Sequence, residues 1–232
     1  MTPLLHIEHL FVQFGETPVL QDVNLIVMPG DSVGITGQNG SGKSTLLKTV
    51  CRKIRENSGT ITFASENLKN TKPHELVLGA PVGNGLWQRG ISTLWQSSLV
   101  FPSLTVEEHL MLALRMNHDP HKKQRLEAVY AEFEPRRLAD LRKQSGGNLS
   151  GGQRQLLSLA ILLAHGNGCW LLDEPFAGLD VDTADFTVEW LLEKNRKGIT
   201  LLTVAHEPKR TQQLCRTIWQ MLDGRLECIH DN

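Results

Sequence analysis

The segment Gly37-Gln38-Asn39-Gly40-Ser41-Gly42-Lys43-Ser44-Thr45 has the spacing G-x-x-x-x-G-K-[ST] of a loop that holds phosphate. Its glycines let successive backbone N–H groups turn toward an anion, and a helix starting there adds the positive end of its dipole. Lys43 is placed to reach the outer phosphates and Ser44 to ligate Mg²⁺. Far along the chain, Gly168-Cys169-Trp170-Leu171-Leu172 is a short apolar run that ends in Asp173-Glu174-Pro175. Two carboxylates at the end of a buried strand are costly unless a cation meets them. Beside a phosphate loop that cation is Mg²⁺, with Asp173 holding it and Glu174 facing an attacking water as base or orienter.

Other strand ends carry similar candidates. Gly198 to Ala205 is apolar and ends in His206, and Gly90 to Trp95 hands over to Gln96. A glutamine there can coordinate a metal or hold a water, although most in such places bond to backbone, and a strand-end histidine alone is more often structural. Gly146-Gly147-Asn148-Leu149-Ser150-Gly151-Gly152-Gln153 runs straight into Leu156, Leu157, Leu159, Ala160, Leu162 and Leu163. Ser150 and Gln153 have the spacing of a capping box. Gly151 and Gly152 leave first-turn N–H groups bare, which suits a phosphate as well as a cap. Phe14, just before Gly15, could lie under a purine ring or cover a core together with Phe11.

These groups need elements to position them. Ser32 to Thr36 reads as the buried strand before the loop, and Leu46, Leu47, Val50 and Ile54 recur at helical spacing after it. Leu4 to Val12 and Val19 to Val27 alternate as two strands around Gly15-Glu16-Thr17-Pro18, with Gly59 to Ala64 as another. Ser65 to Arg89 reads as a surface excursion with a short helical stretch around His74 to Leu78. A helix is expected from Thr105 to Met116, and helical periodicity returns at Leu126, Val129, Tyr130 and Phe133. Ala177-Gly178-Leu179-Asp180 turns into an amphipathic helix, Val181 to Asn195. Ile218 to Leu222 and Arg225 to Ile229 form a hairpin around Asp223-Gly224. The strands ending in the phosphate loop, in Asp173-Glu174 and in His206 meet if they share one open parallel sheet, where ligands bind outside the carboxyl ends.

Composition removes several classes. With 232 residues, 40% of them apolar, the chain can fill one good-sized core. Its longest apolar run, Leu156 to Ala164, is far short of the roughly 20 residues a bilayer span needs. Nothing at the N-terminus suggests a secretory signal, so a cytosolic protein is expected, and no C-terminal regulatory domain is expected beyond Ile229. Net charge is −1 and the first cation is Lys43 itself, so no basic arm is available there for nucleic acid. Cys51, Cys169, Cys215 and Cys228 lack any C-x-x-C pair and read as reduced thiols.

With the phosphate loop, Gln96, Leu149-Ser150-Gly151-Gly152-Gln153, Leu171-Leu172-Asp173-Glu174-Pro175, Ala177-Gly178-Leu179-Asp180 and His206 in this order, the chain resembles the ATP-binding subunit of an ABC transporter. The likeness runs from about Leu4 to Ile229. It implies an α/β phosphate-loop NTPase core with an N-terminal antiparallel β region, and a single domain over 4–230 with an inserted helical subdomain over 97–165. It implies ATP and Mg²⁺ as ligands, Phe14 as the aromatic under adenine, and Gln96 as sensor of Mg²⁺ and γ-phosphate where the membrane partner docks. Ser150, Gly151, Gly152 and Gln153 match the signature that meets ATP held by a second subunit. Lys43, Asp173, Glu174 and His206 match the phosphate, metal, catalytic and γ-phosphate contacts, and Asp180 the cross-dimer loop. Where relatives carry Ala-Arg-Ala-Leu and a proline, this chain has Ile161-Leu162-Leu163-Ala164-His165-Gly166-Asn167. Gln96 to Leu110 looks most like the branched-chain amino-acid importer ATPases, and the lipopolysaccharide-export ATPase shares that spacing.

The resemblance therefore implies a peripheral ATPase on the inner face of the cell membrane, working as a dimer that powers a separate integral permease. A non-transport member of the same group, acting on nucleic acid or the ribosome, is the alternative. The single cassette in this chain, with about a hundred residues between phosphate loop and signature, speaks against it. A phosphate-loop kinase is disfavoured by the signature and by Glu174 beside Asp173.

Overall fold

A computed structural model describes residues 2–70, 90–96, 100–116, 120–166 and 168–231. The chain opens with β1 (Leu5–Phe14) and β2 (Thr17–Val27), an antiparallel pair whose apolar residues change phase partway along. Leu5 and Ile7 are buried, then Leu10 and Val12; on the partner Leu20 is buried, then Val23, Leu25 and Val27. A strand alternates strictly, so keeping all of these on one face takes an irregularity at each change of phase. The register shifts there, and His9 and Asp22 both adopt positive φ. His9 Nδ1 meets Asp22 Oδ1 at 2.7 Å across the paired irregularities. Phe11 and Phe14 are 39% and 53% exposed, so neither covers the core.

The second sheet is built on β3 (Ser32–Thr36), which runs through the phosphate loop into α1 (Lys43–Val50). β4 (Ser58–Phe63) and the short β5 (Glu66–Asn67) return to the first sheet, in the order β2-β1-β4-β5. β6 (Ile91–Leu94) then enters the second sheet. Of the surface excursion expected before it, residues 65–70 carry β5 and one short helical turn, and the rest, with its helical stretch at His74 to Leu78, lies outside the described residues. α2 (Val106–Met116), α3 (Lys122–Glu132) and α4 (Gly151–His165) follow, then β7 (Cys169–Asp173), α5 (Val181–Arg196), β8 (Thr200–Val204), α6 (Pro208–Leu214) and the hairpin β9 (Thr217–Leu222) and β10 (Arg225–Asp231). The sheet order is β10-β9-β3-β8-β7-β6, parallel except for β10.

The continuous apolar runs of β7 and β8 are explained by burial on both faces. Cys169 and Leu171 face a core shared with β1, β2 and α1, whereas Trp170 and Leu172 face one shared with α2 to α5. In the second core Trp170 stacks on Trp190, and Trp190 and Phe186 both pack on Phe133, tying α5 to the end of α3. The buried face of α3 is Leu126, Val129 and Tyr130, with Phe133 at its end, as the helical spacing requires.

Segments 100–106 and 142–147 lie side by side. Val106 N–H donates to Gln144 O, Gly146 N–H to Leu104 O and Gly147 N–H to Pro102 O. The stretch after Gln96 is thereby bound directly to the stretch before Ser150. Three of the four thiols, Cys51, Cys169 and Cys215, are buried, Cys228 is exposed, and none is in a disulfide.

Candidate functional site

Four adjacent strands, β3, β8, β7 and β6, bring their carboxyl ends to one edge of the sheet. β3 delivers the phosphate loop, β8 delivers His206, β7 delivers Asp173 and Glu174, and β6 delivers Trp95 and Gln96. Asn39, Gly40, Gly42, Lys43, Ser44, Thr45, Gln96, Glu174 and His206 line a cleft of about 320 Å³. A second cavity of the same size adjoins it, lined by Ser44, Lys48, Lys53, Trp95, Gln96 and Asp173.

The loop's shape requires its glycines at two positions in particular. Gly37 has φ +146°, and a Cβ there would stand 2.4 Å from Met221 O; Gly42 has φ +112°, with Val19 O at 2.9 Å. A side chain at either position would collide with backbone, so only glycine lets the loop lie against β9 and β2. Lys43 Nζ donates to Gly37 O and Gln38 O, each at 2.8 Å, curling the loop around its own ammonium. Burial pulls the Lys43 pKa below the usual lysine range, and the charges of Glu174 and Asp173 oppose that pull.

Ser44 Oγ donates to Asp173 Oδ1 at 3.1 Å, joining the start of α1 to the end of β7. Burial raises Asp173 above the usual carboxylate range; the Ser44 hydrogen bond lowers it and neighbouring Glu174 raises it further. Glu174 itself has φ +54°, a region costing a non-glycine residue about 1–3 kcal/mol. His206 Nδ1 lies 2.6 Å from Glu174 Oε2.

The residues present fit a magnesium nucleotide. Ser41 Oγ is buried with no hydrogen-bond partner among the described residues, inside a cradle whose glycines leave backbone exposed. Among the described residues no three His, Cys, Asp or Glu side chains are grouped around one point. A single carboxylate with a hydroxyl beside it is the donor set for Mg²⁺, which keeps several waters and takes its remaining oxygens from phosphate. Asp173 and Ser44, with Gln96 alongside, would hold that ion.

The signature lies elsewhere. Ser150 caps α4: its Oγ accepts from Gln153 N–H at 3.2 Å, and Gln153 Oε1 accepts from Ser150 N–H at 2.9 Å. The Gln153 side chain is thus spent on the helix's own cap. A Cβ on Gly151 would meet nothing within 4 Å, so no contact within this chain demands glycine there. None of residues 150–153 lines either cavity. Asp180 caps α5, accepting from Thr183 N–H at 2.9 Å and Thr183 Oγ1 at 2.8 Å.

Phe14 lies outside the lining of the cleft, though near it: Gly42 abuts Val19 and Leu20, and Leu20 pairs with Val12, two residues before Phe14. The motif reading missed Lys48, Lys53 and Trp95 around the second cavity, where Lys53 Nζ sits 3.9 Å from the Trp95 ring centroid. It also missed Gln155, which is buried on α4; the available signal was an amide opening a run of leucines.

The ABC transporter family profile matches residues 20–177. The lipopolysaccharide export system ATP-binding protein LptB of Haemophilus influenzae is 30% identical over 223 residues, covering 96% of this chain and 88% of its own. The phosphonates import ATP-binding protein PhnC of Agrobacterium fabrum is 31% identical over 231 residues, covering 95% and 77%. A nucleotide-free ATP-binding cassette from an ABC transporter superposes with a TM-score of 0.81 at 25% identity, over all of this chain and 92% of that one. A dimeric post-hydrolysis cassette bound to ADP and Pi has the same fold, with a TM-score of 0.80 at 23% identity over 96% of each chain. A phosphate loop, a metal-ready carboxylate and a strained glutamate at one sheet edge, with a family match across the loop and β7, lead to one assignment: the chain belongs to the ABC transporter family, as an ATP-binding, ATP-hydrolysing domain.

Proposed function

We propose that two copies of this chain, or this chain and a close paralogue, close on two ATP molecules and that the closure drives a separate membrane permease. The observation that carries this is the division of the site. The loop, Gln96, Glu174 and His206 line one cleft, while the exposed helix start at Ser150 and Gly151 belongs to neither cavity. A second subunit completes the enclosure when its Ser150–Gly152 turn meets the phosphates held by Lys43, with Phe14 under the base. ATP bound with Mg²⁺ supplies the reactive phosphoanhydride. Asp173 and Ser44 hold the metal side, Lys43 and the loop amides hold the phosphates, and Glu174 orients the water while His206 steadies Glu174.

The division of labour we infer is a single domain over 4–230, in which 97–165 forms a helical unit that carries movement from Gln96 to the permease. An open cavity between α2 and the segment before Ser150, lined by Leu104, Glu108, Met111, Leu112, Arg115 and Arg142, supports contact with that partner. Among the described residues no helix is long and apolar enough to cross a membrane, in keeping with a peripheral place on its inner face. The Gln96 to Leu110 spacing supports a position near the branched-chain amino-acid importer ATPases. The relatives named above serve lipopolysaccharide export and phosphonate import, so we read the cargo as a property of the permease.

The test is size. Glu174→Gln should keep ATP bound and shift the protein from monomer to dimer when Mg²⁺ and ATP are present. A monomer under those conditions overturns the shared site.

A further inference from the structure

Inside one chain, the signature helix and the turn that carries Glu174 are joined by a buried hydrogen bond. Gln155 is 5% exposed, and its Nε2 donates to Pro175 O at 2.9 Å. Gln155 lies in the second turn of α4, five residues beyond Ser150, and Pro175 directly follows Glu174. Its neighbours Leu156, Leu157, Leu159 and Ala160 are buried and apolar. Packing alone would be met by another leucine, since a buried amide costs free energy unless it is bonded.

The carbonyl it holds sits in a turn that needs holding. Glu174 has positive φ although it is not glycine, and a residue before proline is already restricted in backbone conformation. Two main-chain bonds flank it: Glu174 N–H donates to Val204 O at 2.8 Å, and Ala177 N–H donates to Glu174 O at 3.1 Å. Those bonds fix the turn to β8 and to itself. Gln155 adds the link to α4, and Gly152 backs it up, since a Cβ there would lie 3.8 Å from Leu179 and 3.9 Å from Gly178 O. The start of α4 and the turn from Glu174 to Leu179 are therefore in direct contact.

We propose that Gln155 is a positioning residue that sets Glu174 from the signature helix. When Ser150–Gly152 seats on the nucleotide held by the second subunit, the same helix fixes this chain's own Glu174 through the Pro175 carbonyl. Each subunit thereby makes its hydrolysis conditional on having gripped its partner's ATP, and the two sites turn over cooperatively. This rests on the reading of Glu174 as the group that orients the water.

Gln155→Met and Gln155→Leu remove the donor while keeping bulk and helix propensity. Both should lower kcat for ATP hydrolysis by about tenfold to a hundredfold, the scale of a small misplacement of a reacting group. Affinity for ATP, measured by equilibrium binding without turnover, should stay within about twofold on the scale of unperturbed binding. The Hill coefficient for ATP should fall toward one. Unchanged kcat, or kcat and affinity falling together with the melting temperature, overturns the proposal, as does failure of both variants to fold, which would make Gln155 a packing residue. Glu174→Gln assayed alongside separates the two ideas, because turnover surviving in that variant defeats the reading of Glu174 whatever Gln155 does.

Discussion

His206 Nδ1 lies 2.6 Å from Glu174 Oε2, and His206 N–H points at the same oxygen from 3.3 Å. One carboxylate oxygen is therefore gripped twice by a residue at the end of the neighbouring strand. A carboxylate oxygen accepts, so this contact selects the tautomer in which Nδ1 carries the proton and donates it to Glu174. His206→Ala should reduce phosphate release by about a hundredfold or more, the size of a lost general-base arrangement, with a much smaller effect on ATP affinity. Turnover close to wild type would show that Glu174 is held well enough by its backbone alone.

Lys43 sits on the carbonyls of Gly37 and Gln38 at 2.8 Å in a partly desolvated site, so its ammonium is already pointed into the loop. A phosphate entering there gains a charge-assisted bond without the lysine having to search for it. Lys43→Ala should weaken nucleotide binding by roughly tenfold to a hundredfold, from about 1.5–3 kcal/mol for a hydrogen bond to a charged group. Isothermal titration with ATP reads this directly, and unchanged affinity would count against the loop as the phosphate site.

How much of this was legible beforehand depends on whether the signal was local. The phosphate loop, the Ser150 cap and the strand ends at Asp173 and His206 are each dictated within a few residues, and all stand where their patterns put them. The paired irregularities at His9 and Asp22 were also written locally, as apolar residues shifting from odd to even positions in β1 and back in β2, but that phase change went unread. The adjacency of β3, β8 and β7 was not local. It needed the rule that ligands gather where parallel strands end, and the motif convergence supplied the strand choice. For Gln155 only the amide among leucines was legible; its partner was not, because residue types say nothing about which main-chain carbonyl will be left over in a turn.

Acid should weaken the fold through His165 at the end of α4. Burial pulls its pKa from the ordinary 6.5 down to about 4. The unfolded chain then binds a proton that the folded chain refuses, so stability is full above about pH 6.5 and is lost as pH falls toward 4. Between pH 7 and pH 5 the loss from this group is roughly 2 kcal/mol. Urea titrations at the two pH values check it, and His165→Gln should flatten the difference; an unchanged slope would place the acid sensitivity elsewhere.

Two glycines that look alike in the sequence should behave in opposite ways. Gly37 is forced by the fold, since alanine there would set its Cβ 2.4 Å from Met221 O at a φ of +146°. Gly37→Ala should cost on the order of 1–3 kcal/mol of stability and abolish ATP binding with it. Gly151 is different, because the first residue of α4 has open space where a Cβ would go. Alanine there should leave the melting temperature unchanged or slightly raised, as alanine exceeds glycine in helix propensity by up to about 1 kcal/mol. ATP binding to the isolated subunit should also persist, because Gly151 lines neither cavity of its own chain. What Gly151→Ala should lose is turnover and the ATP-dependent dimer, since the methyl would occupy the space needed by a neighbour's phosphates. Thermal melting, ATP titration and sizing of the two variants side by side separate a glycine needed for folding from one kept clear for a second subunit. Full turnover in Gly151→Ala would mean that no second subunit approaches there.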